Sequence, residues 1–349
     1  MTAALLSRPP VLNNARQMPP ELPDTAPTAD DIRKARERLA GVAVLTPLLE
    51  SSFLNDLVGG RLLVKAEPLQ RTGSFKFRGA YNRISQIPET DRGRGVVAFS
   101  SGNHAQGVAH AAQISGIPAC IVMPADAPEM KLANTRAYGA DVITYDRYTE
   151  DREAVAAEVL KRTGGTLVRP FDDAGVIAGQ GTIGYEIIEQ CGVLQARPDQ
   201  VIICCGGGGL TAGCATALQD AAPGLAVYSA EPDGFDDTAR SLAEGHRLGN
   251  DPAARSVCDA LLSERPGELT FAVNSRRLSG GLAVSDEEVF MAMRHAFERL
   301  KLVIEPGGAV ALAAALTGRL ETKGRITVVV ASGGNVDADM FRRALDATG

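Results

Sequence analysis

Eight short runs of near-continuous Val, Ile, Leu and Ala recur along the chain, at residues 62–65, 96–99, 119–122, 142–145, 167–169, 201–205, 226–229 and 326–330. Between them lie stretches of helix formers at helical spacing, for example 105–114, 150–162, 182–190 and 286–300. Most of the runs do not alternate with polar residues, so they read as strands covered on both faces, and parallel sheets layered with helices are the arrangement that covers both faces. The expected class is therefore α/β with mostly parallel sheets and no internal repeat. The part from 95 to 165 is compact enough to form a small inserted domain, which leaves 28–94 and 166–349 as a large one. Residues 1–27 hold six prolines and no sustained apolar period, so an arm that is disordered or loosely docked is expected there. Thr28 or Asp30 then caps a helix whose Ile32, Ala35 and Leu39 fall on one face.

Charge narrows the partners. A net charge of -6 leaves no basic footprint for nucleic acid, and no run of Lys or Arg suits an anionic membrane surface. The longest apolar stretches are too short to span a bilayer, and the N-terminus shows no secretory pattern. The six cysteines include no CxxC pair, which fits a reducing cytoplasm better than a metal ribbon or a disulfide scaffold. The histidines lack HExxH spacing and no GxSxG elbow is present.

Five constellations carry chemistry. Lys76 stands between Phe75 and Phe77 in Ser74-Phe75-Lys76-Phe77-Arg78-Gly79. In a partly dry pocket its ammonium form is disfavoured and the amine is freed to form a Schiff base; the same pattern also suits a lysine snorkelling at a helix start. Ser100-Ser101-Gly102-Asn103-His104 follows a strand and opens a helix, either as a carboxylate seat on free backbone N–H groups or as an ordinary cap. Gly206-Gly207-Gly208-Gly209-Leu210 follows the run 201–205 and also opens a helix, where glycines let the backbone close on a phosphate. It has neither the GK[ST] ending of a P-loop nor the GxGxxG dinucleotide spacing. Ser332-Gly333-Gly334-Asn335 ends the run 326–330, at the strand edge where open α/β sheets bind ligands. Glu231 and Asp237 flank a glycine-containing loop, as a hard-cation site or as a solvated acidic loop.

With these motifs in this order, the sequence resembles the pyridoxal-phosphate-dependent threonine/serine dehydratase and serine racemase family over about residues 28–348. The resemblance implies fold type II, the tryptophan-synthase-β arrangement of two open twisted sheets, mostly parallel and wrapped by helices. It implies that Lys76 carries pyridoxal 5'-phosphate as a Schiff base and takes the substrate Cα proton. Phe75 would pack on a ring face and Asn103 would bond the ring hydroxyl. Gly206 to Leu210 would bind the phosphate, Ser332 would face the ring nitrogen, and Glu305 would lie near the ring. Ser100, Ser101, Gly102, Asn103 and His104 would hold the substrate, with Ser101 as an acid/base on the second face. Glu231, the carbonyl of Phe235 and Asp237 match the family's divalent-cation site, for Mg2+, Mn2+ or Ca2+.

The activity implied is an ammonia-lyase that dehydrates and deaminates L-threonine and L-serine to a 2-keto acid and ammonia. Ser101 stands where many threonine dehydratases have Ala, which leaves serine racemase or 3-hydroxyaspartate dehydratase as the alternative; Phe171-Asp172-Asp173 resembles the dehydratases. A small amino acid is the expected ligand and a homo-oligomer, dimer or tetramer, the expected assembly. No regulatory domain is expected after residue 349. A ligand sensor without catalysis would not need Lys76, and a nucleotide-binding dehydrogenase would need the missing fingerprint.

Overall fold

The computed structural model describes residues 22–100, 102–127 and 129–347, so most of the expected N-terminal arm and Ser101 lie outside the described residues. The first helix, Ala29–Leu39, starts at Thr28. The Asp31 N–H donates to Thr28 Oγ1 and the Thr28 N–H donates back to Asp31, a reciprocal cap that satisfies two otherwise orphaned donors. Ile32, Ala35 and Leu39 are its buried face.

Ten strands follow among the described residues: β1 Leu48–Glu50, β2 Arg61–Ala66, β3 Val96–Phe99, β4 Ala119–Pro124, β5 Asp141–Tyr145, β6 Thr166–Leu167, β7 Gln200–Cys204, β8 Ala226–Pro232, β9 Gly280–Val284 and β10 Ile326–Ala331. Every one of the eight apolar runs is a strand, although 167–169 contributes only the two-residue β6. The strands form a six-stranded sheet in the order β1-β2-β10-β7-β8-β9 and a four-stranded sheet in the order β5-β4-β3-β6. All pairings are parallel except β1 with β2. The two strands the apolar pattern does not show, β1 and β9, are the edges of the large sheet. β1 has three residues, and β9 begins with two glycines and is only half-buried over most of its length, so neither carries a continuous apolar signal. The segment 286–300 is not one α-helix: it changes at His295 into a π turn, Ala296–Leu300, within which Phe297 meets the Phe341 ring edge-on at 5.5 Å.

Period-two alternation divides each strand between two cores. In the large sheet Leu62, Val64, Ile202 and Val329 face the apolar helix Pro306–Leu316, which is buried along nearly its whole length. Leu63, Val201, Ile203, Val328 and Val330 face the opposite way, onto Ile183 and Ile187 of the helix Ala174–Val193 and Leu210 and Cys214 of the helix Gly209–Ala221. In the small sheet Val96, Ala98, Ile121 and Met123 pack on the helix Asn103–Ser115, and Val97, Phe99 and Val122 pack on Arg152–Thr163. Parallel strands present their carboxyl ends on one side, and the chain leaves β3, β7 and β10 there directly into the serine, glycine and Ser332 motifs.

Candidate active site

Past β2 the chain makes two short 3-10 turns, Glu67–Leu69 and Arg71–Gly73, with Thr72 in the left-handed region at φ 59. The next residues are stitched to the exit of β10. The Phe75 N–H donates to the Ser332 carbonyl at 3.1 Å, the Gly334 N–H donates to the Gly73 carbonyl at 2.9 Å, and Ser74 bridges Gly333. This places Lys76 as the first residue of the helix Lys76–Ser85. Its Nζ donates to the Pro170 carbonyl at 2.7 Å and lies 5.2 Å from the Phe75 ring centre. Burial pushes the amine down to about 8, against the opposing pull of the Glu305 carboxylate. That is the lowered pKa expected of a lysine between two phenylalanines, although Phe77 turns into the core behind the small sheet.

The glycine loop leaves β7 after Cys205 and enters the helix Gly209–Ala221 at Gly208, φ +91, with no side chain capping it. The carbonyls of the loop are held from one side. Thr270 Oγ1 donates to the Gly207 carbonyl at 2.7 Å, and Asn274 Nδ2 and Thr211 Oγ1 donate to the Gly208 carbonyl at 3.2 and 2.8 Å. In a trans peptide the next N–H points opposite to the carbonyl, so the amides of Gly208 and Gly209 are turned away from Thr270 and Asn274. The bracing helix, Glu268–Arg277, is itself capped by Asp172, whose carboxylate accepts from the N–H groups of Glu268, Leu269 and Thr270 at 3.0 to 3.1 Å. A Cβ at Gly207 would overlap the Phe171 ring. Gly207→Ala is therefore expected to displace the loop, lower stability by about 1–3 kcal/mol and weaken binding of a phosphate-bearing ligand at least about tenfold, measured by urea unfolding and by equilibrium dialysis.

At the exit of β3 the Gly102 N–H donates to Ser100 Oγ, and Asn103 opens its helix with no side-chain cap in front of it. Asn103 Nδ2 donates to Glu305 Oε1 at 2.6 Å. Burial pushes the Glu305 carboxyl up to about 7, against the Asn103 hydrogen bond, which favours the carboxylate. His104 is buried, its Nε2 is bonded to the Val168 carbonyl at 2.8 Å, and burial holds its pKa down at about 3; it is a neutral wall residue and offers a ligand no positive charge. Ser332 is buried at the exit of β10.

These segments enclose one cavity of about 420 Å3. Phe75, Lys76, Ser100, Gly102, Asn103, His104, Gly206, Gly207, Gly208, Gly209, Leu210, Glu305 and Ser332 all line it. Glu231, Phe235 and Asp237 do not. Glu231 accepts from the N–H groups of Thr238 and Ala239 and so caps the helix Asp237–Glu244, and Asp237 Oδ1 accepts from Asn250. Sequence reasoning gave no site role to Pro170, Phe171, Thr270 and Asn274. They are ordinary residues in ordinary loops and helices, and of them only Phe171 belongs to a noted motif, Phe171-Asp172-Asp173.

The chain matches the family model described as pyridoxal-phosphate dependent enzyme over residues 41–333. It belongs to that family. It is 41% identical over 319 residues to a serine racemase of Schizosaccharomyces pombe, covering 91% of this chain and 97% of the relative. It is 42% identical over 315 residues to an L-threo-3-hydroxyaspartate ammonia-lyase of Pseudomonas sp, covering 90% and 97%. Among solved structures, a threonine deaminase of T.th. superposes with a TM-score of 0.85 at 43% identity, covering 89% of this chain and 99% of that one. The two-sheet architecture is thus pyridoxal-phosphate fold type II, and the enzyme falls in the ammonia-lyase and racemase group. The cavity fits the cofactor. It has a low-pKa amine at Lys76, an uncapped helix N-terminus behind the glycine loop for a phosphate, and a buried hydroxyl at Ser332.

Proposed function

We propose that this enzyme is a pyridoxal-phosphate-dependent ammonia-lyase that converts a β-hydroxy amino acid, L-threonine or L-serine, to a 2-keto acid and ammonia. The observation that carries the reading is that Lys76, the glycine loop and Ser332 share one cavity, with the lysine amine brought down to about 8. Lys76 would hold the cofactor covalently, the amides of Gly206 to Leu210 its phosphate, Asn103 and Ser332 its ring, with Phe75 against a ring face and Glu305 beside it. When bound, the cofactor supplies the electron sink that acidifies the substrate Cα–H. Lys76, released from the covalent bond, would take the Cα proton, and a low pKa lets it both accept and return protons near neutral pH. Ser100, Gly102, Asn103 and the neighbouring amides would hold the substrate carboxylate against the N-terminus of the helix Asn103–Ser115. Loss of the Cα proton and of the β-hydroxyl as water leaves an enamine, which a second water converts to the keto acid and ammonia.

A second reading, 3-hydroxyaspartate as substrate, is favoured by Arg152. It lines the cavity, stacks over Phe99 and has no carboxylate partner among the described residues, whereas Lys131, Arg247 and Arg265 are each paired with one. Assays of keto-acid and D-serine formation from threonine, serine and 3-hydroxyaspartate test the choice. Keto acid from threonine and serine supports the first reading, activity confined to hydroxyaspartate supports the second, and D-serine as the main product overturns both. Ser101 bears on the racemase alternative and would serve as the second-face acid/base.

A divalent cation is proposed between Glu231, Asp237 and the Phe235 carbonyl. Supporting it, Asp237 Oδ2 is buried with no hydrogen-bond partner, and the two carboxylates are both raised, Glu231 by burial and then by Asp237. Mg2+ is expected to raise Tm by several degrees, and Asp237→Asn to abolish the rise; an equal rise in the variant contradicts the site. The small domain proposed for 95–165 is supported by the four-stranded sheet, three of whose strands, β3, β4 and β5, lie within those bounds, while β6, Thr166–Leu167, lies just past them. No helix among the described residues is long and apolar enough to cross a membrane. A cytoplasmic homo-oligomer completes the proposal, supported by exposed Phe53 and Leu57 on one helix.

A further inference from the structure

Three segments that are far apart in sequence meet at the side chain of Asn335. Its Nδ2 donates to the Thr72 carbonyl at 2.7 Å and to Asn103 Oδ1 at 2.8 Å, which uses both of its hydrogens. The first bond holds the left-handed Thr72 turn, four residues before Lys76; the second reaches the opening residue of the helix that follows β3. These bonds also fix which way each amide faces. A peptide carbonyl can only accept, so the Asn335 nitrogen must face Thr72. Its other hydrogen must then meet an acceptor, which turns the Asn103 oxygen toward Asn335 and the Asn103 nitrogen toward Glu305 and the cavity. One Asn103 Nδ2 hydrogen goes to Glu305, and the second has no acceptor in the protein among the described residues.

We propose that Asn335 is a positioning residue that acts through Asn103: by holding the Asn103 oxygen it keeps an N–H donor presented to the cofactor ring, and by holding Thr72 it keeps that donor in register with Lys76. This rests on the functional reading above, in which Asn103 faces the ring. A ring oxygen accepts hydrogen bonds, so an inverted Asn103 amide would set oxygen against oxygen on the ring side and on the Glu305 side at once.

Asn335→Asp keeps the shape and removes both donors. Pyridoxal phosphate affinity of the purified protein, measured by equilibrium dialysis, is expected to fall about tenfold, and the absorption band of the bound cofactor to shift, with the far-ultraviolet circular dichroism unchanged. Because Asn335 acts through Asn103, N103A/N335D is expected to bind no more weakly than N103A. Should N335D not fold, Asn335→Ala, which removes both donors without adding charge, carries the same comparison. Unchanged affinity and band in the single variant overturn the proposal, as does full additivity in the double variant. Borohydride reduction of the parent protein separates the two levels: label on Lys76 with an unperturbed N335D overturns the role of Asn335 alone, and absence of that label overturns the functional reading with it.

Discussion

Lys76→Ala is expected to lower the rate of keto-acid formation by at least about 10³-fold while leaving the protein folded. The loss combines the covalent attachment point with a general acid/base, and the latter alone is commonly worth about 10²–10⁴. With its pKa near 8, about one Lys76 amine in ten is neutral at pH 7, against about one in three thousand for an ordinary exposed lysine. The fold should tolerate the change because Lys76 makes no ion pair among the described residues and its one hydrogen bond is to the Pro170 carbonyl. Burying an amine that prefers to be charged also costs stability, so Tm of the cofactor-free variant should equal or exceed that of the parent. Steady-state rates with unfolding curves check both halves. Retention of more than a few per cent of the rate would remove Lys76 from the chemistry.

Two residues further along the same helix the outcome should reverse. Arg78→Met is expected to cost about 3–5 kcal/mol of stability, read from urea unfolding at neutral pH. Arg78 is fully buried, its Nε donating to Glu67 at 2.8 Å and its Nη2 to Glu186 at 2.8 Å, while Lys65, equally buried, donates to Glu186 at 2.6 Å and to the Thr46 carbonyl at 2.7 Å. Burial works to raise the Glu67 pKa, yet Arg78 and Lys65 bring it below the ordinary carboxylate value. A carboxylate depressed in the folded state adds stability above its unfolded pKa, and that stability drains away as pH falls through the folded value. The parent should therefore begin to lose stability as pH falls below about 4.3, the ordinary glutamate value, and lose the rest as pH falls through the lower pKa of folded Glu67. Arg78→Met, which leaves Glu67 without its main cation, should be weak already at neutral pH and should show a shallower acid slope. An unchanged urea midpoint would mean that the cluster is not held together through Arg78.

What could be read in the residues differs in kind from what could not. The apolar runs and the motifs at their ends are local: a strand, then a lysine, a serine, four glycines or a serine again, each within a few positions. Parallel pairing puts the carboxyl ends of β2, β7 and β10 on one side of the large sheet, and the motif after β3 of the small sheet joins them at the cavity. The supports are not local. Asp172 caps a helix almost a hundred residues away, and Thr270 and Asn274 of that helix turn the glycine carbonyls aside. Asn335 joins Thr72 to Asn103. Thr270 and Asn274 have no unusual neighbour in sequence, so no spacing rule could select them; Asp172 and Asn335 stand in motifs, but the distant groups they bond do not. Lys65 sits inside an apolar strand run, and its burial follows from Glu186, which lies on another helix. Helix Ala174–Val193 contains glycines that reduce helix propensity, yet Gly181 leaves room for the Gly213 backbone of the neighbouring helix, a reason visible only after packing. Glu231 stands out in the sequence beside an acidic loop, but its hydrogen bonds from the Thr238 and Ala239 N–H groups, which cap the following helix, do not.

The amine of Lys76, its pKa brought down to about 8 by burial, is the group proposed to bond pyridoxal phosphate. The most direct measurement is the pH dependence of cofactor attachment, trapped with borohydride and located by peptide mass spectrometry. One label is expected, on Lys76, with a rate of attachment that rises with pH to a midpoint near 8. Label on another lysine, or a midpoint near the ordinary lysine value of about 10.4, would contradict it.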